Sequence, residues 1–420
     1  FHHAVGVAGP FDAVGHSVSP GRSGREYRPA RRSAMMAAVA YTTAPAMPLD
    51  RRRFLLQSGS AAAVVALFGQ GCAAPATGKA DAGVLGFTGV PASLRDGVAI
   101  PPEYEWQLLY PWGTPTGIAG RMPAFATDAS NSADDQAVQA GMHHDGMHFF
   151  ALDASGDRGL LVMNHEYTDE QLLHADGARQ WTPEKVRKSL HAMGVSVIEI
   201  RRTPEGWRQV LPSPFARRVH GNTPMRIAGP AAGTPLMRTA ANPAGDAVFG
   251  TFANCAMGVT PWGTYLTCEE NFHGYFGGPK EAASRMTAAQ RRYGTVPGSQ
   301  WVEYWRFDER FDLSRHPNEA HRFGWVVEID PFDPTATPIK RTALGRKRQE
   351  SATCTVAKDG RLVVYMGDDS RFEYIYKFVS RDKVRPGTDA AARAANRHLL
   401  DDGTLHVART NAFFMGGGKA

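Results

Sequence analysis

Cysteine is scarce in these 420 residues: four in all, at positions 72, 255, 268 and 354, with no Cys-x-x-Cys spacing. A full disulfide framework and a structural zinc site of the usual spacing are both excluded. Also absent are a Gly-x-Ser-x-Gly elbow, a Walker loop and a dinucleotide fingerprint, so nucleotide cofactors and an elbow serine drop out. No apolar run reaches the ~20 residues of a membrane-spanning helix. Long helices are disfavoured too, because 44 glycines and 28 prolines exceed ordinary usage and imply many turns. Charge of one sign is missing from most of the chain. Of the formal net charge of +6, a surplus of five sits in the stretch up to Ala76, where eight arginines face three acidic residues. The remainder is almost neutral, and no nucleic-acid partner is expected.

What is present begins with a leader. Arg51-Arg52-Arg53-Phe54-Leu55 precedes a short apolar run through Phe68, and Ala74-Pro75-Ala76 supplies a small-residue cleavage site. A charged start, a short apolar middle and small residues in that order make an export signal of the twin-arginine kind. The chain is therefore divided into an upstream extension at 1–46, expected to be disordered, a signal peptide at 47–76 and one domain at 77–420. A periplasmic or secreted monomer is expected, with the twin-arginine export machinery as a partner and no stable membrane span.

In the domain, short apolar runs alternate with turn signals. Strands are expected at His148 to Asp153, Gly159 to Asn164, Val195 to Ile200, Gly250 to Asn254, Gly263 to Glu269, Trp325 to Asp330 and Leu362 to Met366. Asp359-Gly360 and Asp402-Gly403 read as turns next to further strands. Helices are expected from Thr182, as N-cap, through His191, over 280–293 and over 388–398. A loose unit recurs, with Glu199-Ile200 and Glu328-Ile329 each ending a strand before a proline. The fold class is all-β; recurring units of this kind suggest a β-propeller, although a β-sandwich fits the strand count equally well.

Acidic and amide residues crowd the ends of these strands: Asn164 with Glu166, Cys255, Cys268-Glu269-Glu270-Asn271, Glu350, and Asp368-Asp369 followed by Arg371 and Glu373. Such hard oxygen donors suit calcium, magnesium or ferric iron, and an arginine among them can hold an anion in a bidentate grip. His143-His144-Asp145-Gly146 looks like a metal box. Its adjacent histidines diverge on a strand and Asp145-Gly146 reads as a tight turn, so it is assigned to the surroundings of a site.

Taken together, Thr251 to Phe272, Asn164-His165-Glu166-Tyr167, Gly221 to Met225, Phe323 to Pro331 and Gly367 to Tyr374 resemble the signatures of PhoX-type alkaline phosphatases. The resemblance spans roughly 83–410. It implies a six-bladed β-propeller with small helical insertions and, in its channel, two ferric ions, Fe(III), joined by an oxo bridge together with Ca2+. Carried over by motif, Cys255 or Cys268 supplies a thiolate to iron, while Glu269 or Glu270 and Glu373 are carboxylate ligands. Asn164, Glu166, Glu350, Asp368 and Asp369 join the candidate metal ligands, and Arg371 is the catalytic, phosphate-binding residue. The implied function is hydrolysis of small phosphomonoesters outside the cytoplasm, by a metal-bound oxo or hydroxo nucleophile. A calcium-dependent lactonase and a non-catalytic calcium- or phosphate-binding propeller are the alternatives.

Two departures from the family pattern stand out. The family's Gly-Arg-Phe-Lys-His-Glu is here Gly345-Arg346-Lys347-Arg348-Gln349-Glu350, and family members continue with further acidic strands beyond Leu405. A C-terminally truncated member with an incomplete last blade, weak iron binding and little or no phosphatase activity is expected on that basis.

Overall fold

Turn-rich composition gives fifteen strands in three sheets among the described residues. The structure is a computed structural model that describes residues 86–409. The extension at 1–46, the signal peptide at 47–76, Cys72 and the segment 410–420 lie outside the described residues. Residues 86–106 and 107–409 fall into separate units. In the former, the rings of Phe87 and Tyr104 meet edge to face at 5.5 Å.

In the latter unit, the first sheet joins β1 (His144–Ala151), β2 (Arg158–His165), β3 (Gly194–Thr203) and β4 (Gly206–Gln209) in sequence order, with β5 (Arg217–Val219) also paired to β3. The second holds β6 (Pro224–Ala228), β7 (Ala247–Phe249), β8 (Asn254–Val259), β9 (Tyr265–Glu269), β10 (Val326–Ile329) and β11 (Ile339–Arg341) in the order β7-β6-β11-β10-β9-β8. The third is a meander of β12 (Thr353–Val356), β13 (Arg361–Gly367), β14 (Ile375–Lys383) and β15 (Gly403–Val407). Only this third sheet has the plain four-stranded antiparallel form of a propeller blade. The second contains a parallel pair, β6 with β11, which a meander does not allow. The described residues thus form a mostly β chain with three sheets.

Most strand expectations match, because Val, Ile, Leu and aromatic runs bounded by turn residues leave few alternatives. Gly360 turns β12 into β13 at φ 89, a conformation that glycine adopts without a Cβ clash. The expected strand over Gly250–Asn254 is not formed: β7 ends at Phe249, Ala253 turns left-handed at φ 54, and β8 starts at Asn254. Thr182 caps the helix Pro183–Ala192, accepting from the Lys185 amide at 3.2 Å. The helix expected over 280–293 is split into a 3-10 turn, Lys280–Arg285, and a short α-helix, Ala288–Arg292. Thr287 and Gln290 form a capping box that starts the second piece afresh. Over 388–398 the helix is Ala390–Asn396, with Asp389 as its cap.

Packing ties the sheets together. One core cluster joins Val162, Val197 and Val219 of the first sheet to Met225, Tyr265 and Val327 of the second. Another joins Leu266, Cys268 and Val326 of the second sheet to Leu362, Val364 and Phe378 of the third. Each such side chain contributes roughly 1.5–3 kcal/mol on burial. The recurring Glu-Ile unit has a physical counterpart: Glu199 is buried against Arg158 at 2.7 Å, and Glu328 against Arg341.

Candidate metal centre

Three edge strands, β1, β8 and β12, bring one hairpin from each sheet to a common place, with β8 in contact with both others. Each hairpin supplies two ligand-bearing residues at the same end. Asp145 lies at the start of β1 and Glu166 just past β2; Cys255 lies at the start of β8 and Glu270 just past β9; Glu350 precedes β12 and Asp369 follows β13.

The first two hairpins are built alike. Each strand enters through a non-glycine residue in the left-handed region, His143 at φ 48 and Ala253 at φ 54. The register of β1 on β2 shifts between His144 and Met147, and that of β8 on β9 between Asn254 and Met257. Asp145 and Cys255 occupy those bulges, which re-aim side chains that regular pleating would point elsewhere. The amides of Glu166 and Glu270 close the hairpins onto the carbonyls of His143 at 3.0 Å and Ala253 at 2.9 Å. Left-handed backbone at such residues costs on the order of 1–3 kcal/mol and persists where surrounding packing enforces it.

One potential ligand atom each from Asp145, Glu166 and Cys255 lies within 4.8 Å of the others. Neighbouring acids are among the largest influences on Glu166, Glu270 and Glu350. Burial, Asp145 and Glu270 push the Glu166 carboxyl up to about 7. Burial, with Asp369 and Glu350 nearby, raises Glu270, and burial, with Asp369 and Asp145, raises Glu350. The Cys255 thiol is pushed far up by burial, by its hydrogen bond to Glu270 and by the same carboxylates. Asp368 is displaced upward mainly by burial, and its Oδ1 is buried without a partner.

Other expected ligands are occupied elsewhere. Between the two cysteines, the structure puts Cys255 among the carboxylates and Cys268 in the apolar core beside Leu266 and Val326. The alternation of β9 separates Cys268 from Glu269, yet Glu269 does not reach the cluster either. It is fully buried, bonded to Lys340 Nζ at 2.6 Å and to the amides of Gly324 and Trp325 at 3.0 and 3.1 Å. Asn164 spends its amide on protein partners: Nδ2 donates to the Cys255 and Ala256 carbonyls at 2.5 and 3.1 Å, and Oδ1 accepts from the Thr267 hydroxyl and lies at the same 2.9 Å from the Tyr265 hydroxyl. Glu373 pairs with Arg292 at 2.7 Å. Arg371 is exposed on the turn between β13 and β14, beside Phe372 in the left-handed region at φ 68.

Asp145 is the residue that sequence reading passed over. Its Asp-Gly pair reads as a turn, whereas the structure makes it a bulge inside β1. The missed signal was the parallel between Asp145 with Glu166 and Cys255 with Glu270, each pair bracketing two apolar runs.

The family model of alkaline phosphatase PhoX matches residues 85–419. The chain belongs to the PhoX alkaline phosphatase family. Among solved structures it is similar to Pseudomonas fluorescens PhoX in complex with vanadate, a transition-state analogue, with 49% identity and a TM-score of 0.74. The match covers 78% of this chain and 55% of that one, so the chain spans about half the length of that PhoX. No curated protein matches the chain. The PhoX family is one of metalloenzymes, and among the described residues Asp145, Glu166 and Cys255 form a group able to hold a metal ion. No described helix is long and apolar enough to cross a membrane.

The PhoX-pattern departures at Lys347 and Gln349 have structural roles. Lys347 is buried with Nζ on the Leu344 carbonyl at 2.8 Å and 4.7 Å from the Tyr376 ring centre. Gln349 is buried and donates to the Gly345 carbonyl at 2.7 Å.

Proposed function

We propose that this chain is a phosphomonoester hydrolase of the alkaline phosphatase type that works outside the cytoplasm. The observation that carries the reading is the convergence of three hairpins, one per sheet, on six ligand-bearing side chains with no cation among them, in a chain of the PhoX family. Carboxylates that share a partly dry space repel one another, and a bound cation removes that cost.

The donor set fits the family's metals. Asp145, Glu166, Glu270, Glu350 and Asp369 offer hard oxygen donors for Ca2+ and Fe(III), and Cys255 offers a single soft donor to iron. When bound, such ions would neutralise the phosphoryl oxygens as Lewis acids and would lower the pKa of water toward neutrality. The chain's own part is to hold the donors in place and to bind the ester. Arg371, exposed and bonded to no acid among the described residues, supplies the guanidinium for a bidentate hold on phosphate. The leader motif supports export of the folded protein by the twin-arginine route.

Hydrolysis of p-nitrophenyl phosphate by the purified chain, loaded with iron and calcium, tests the reading. Weak activity that is lost in Cys255→Ala and in Arg371→Ala, with a lactone left untouched, is the expected outcome. Turnover of the lactone but not of the phosphate ester would replace the reading with that of a lactonase.

A further inference from the structure

The two bulges that carry Asp145 and Cys255 are held by one buried polar network, and Asn164 is at its centre. A bulge withdraws backbone carbonyls from the ladder, and each carbonyl left in a buried place needs a donor. Here the freed carbonyls are those of Gly146 in β1 and of Cys255 and Ala256 in β8. Asn164 Nδ2 donates to the latter two. The Tyr265 hydroxyl lies 2.7 Å from the Gly146 carbonyl and 2.9 Å from Asn164 Oδ1, within reach of both with its one proton. Thr267 donates to Asn164 Oδ1 and accepts from Asn254 Nδ2, each at 2.9 Å. Asn164, Thr267, Asn254 and the Tyr265 ring are all fully buried. The bulges also press on each other: a Cβ added at Gly146 would stand 3.0 Å from the Cys255 carbonyl and 2.9 Å from the Met257 side chain.

We infer that Asn164 and Tyr265 are positioning residues that set the distance between the Asp145 and Cys255 donors before any ion arrives. The inference rests on the metal-centre reading above only in what the donors are for. The network itself is a property of the metal-free chain. Both N–H donors of Asn164 are engaged, and its Oδ1 faces the Tyr265 and Thr267 hydroxyls at 2.9 Å each rather than the cluster of donors. Its contribution is therefore to geometry. Groups that orient ligands without touching the ion typically change affinity about 10–100-fold when removed.

Tyr265→Phe keeps the ring in the core and deletes the hydroxyl; Asn164→Leu keeps the volume and deletes the amide. Tyr110→Phe is the control, since it loses hydroxyl contacts to Thr116 and Ser196 outside the network. Two quantities are measured on folded protein: the rate at which a maleimide labels Cys255 in the metal-free chain, read by peptide mass spectrometry, and the affinity for cobalt(II), read through its thiolate charge-transfer band. Both network variants should label Cys255 several-fold faster than wild type and bind cobalt(II) about 10–100-fold more weakly, while Tyr110→Phe matches wild type. Labelling of Cys255 at the wild-type rate in both network variants overturns the inference, as does equal acceleration in Tyr110→Phe, which would mark a general loosening. If wild-type protein gives no cobalt(II) band, the metal-centre reading fails by itself and the labelling rates still decide the positioning role. If the variants fail to fold, Thr267→Val, which removes one hydroxyl from the same network, takes their place with the same expected result.

Discussion

Glu269 and Glu270 are neighbours in the chain and opposites in the structure. Glu269 turns into the second sheet, where Lys340 and two backbone amides meet its carboxylate. Glu270 turns toward Cys255, Asp369 and Glu350, and its charge is opposed rather than matched. The same contrast separates two regions. In the sheet interior every buried carboxylate named here has its own cation: Glu199 has Arg158, Glu269 has Lys340, Glu328 has Arg341 and Asp330 has Arg393. At the meeting of the three hairpins the acids have one another. Where these four interior acids are matched by cations, the set at the hairpins is matched by none of its own members and is the place for a cation brought from outside.

The sharpest way to break the comparison is to make the interior resemble the cluster. Lys340→Met strands the Glu269 carboxylate in a dry place, and a loss of about 3–5 kcal/mol in urea unfolding is expected. Little change would mean that the pair is not what neutralises that region. Next in size is the reverse experiment, supplying the cluster with charge. Calcium at a hundredfold excess over its dissociation constant should stabilise the chain by about 2.7 kcal/mol, and chelation should return the melting temperature to its starting value. That gain should vanish in Glu270→Gln and persist in Glu199→Gln.

Smaller effects follow without metal. Glu270→Gln removes a repelled charge and should stabilise the metal-free chain by about 1 kcal/mol or less. The pH dependence has a definite sign. A carboxyl whose pKa is raised on folding holds its proton longer in the native state, so stability is full below the unfolded value near 4.5 and falls as pH climbs toward the folded one. With Glu166 at about 7, the metal-free chain should lose stability between roughly pH 4.5 and 7, and calcium should flatten that slope. Melting curves across the range check both statements. The smallest effect is expected from Arg292→Ala. Its pair with Glu373 is half in water, so under about 1 kcal/mol is at stake, and calcium affinity should not change. A clear loss of affinity there would bring Glu373 back among the ligands.

Local pattern made most strands legible. Val195 to Ile200 and Leu362 to Met366 are short, β-branched-rich runs bounded by turn residues, which reads as strand, and Thr182-Pro183 is a helix-start signal. The split at Thr287 and the missing strand at Gly250–Asn254 were harder, since a capping box and a left-handed alanine override composition over a few residues. The candidate site was legible as a set of acidic strand ends, and Glu166, Cys255, Glu270, Glu350 and Asp369 stood among the candidates; what the sequence did not separate was these from the others. Asp145 was hidden by its turn-like neighbour, while Glu269, Cys268 and Asn164 stood in the right motifs with their side chains engaged elsewhere.

By itself the sequence determined that the chain is turn-rich and mostly β, that its acids gather where strands end, and that its motifs are those of the PhoX family. These are properties of short stretches, set by side-chain period, turn chemistry and motif. Only tertiary structure decided which acids are matched by cations and which face one another. A side chain's partner across a bulge or between sheets depends on register and on the packing of distant strands, and neighbouring residues such as Glu269 and Glu270 carry no local mark of the side on which they will fall.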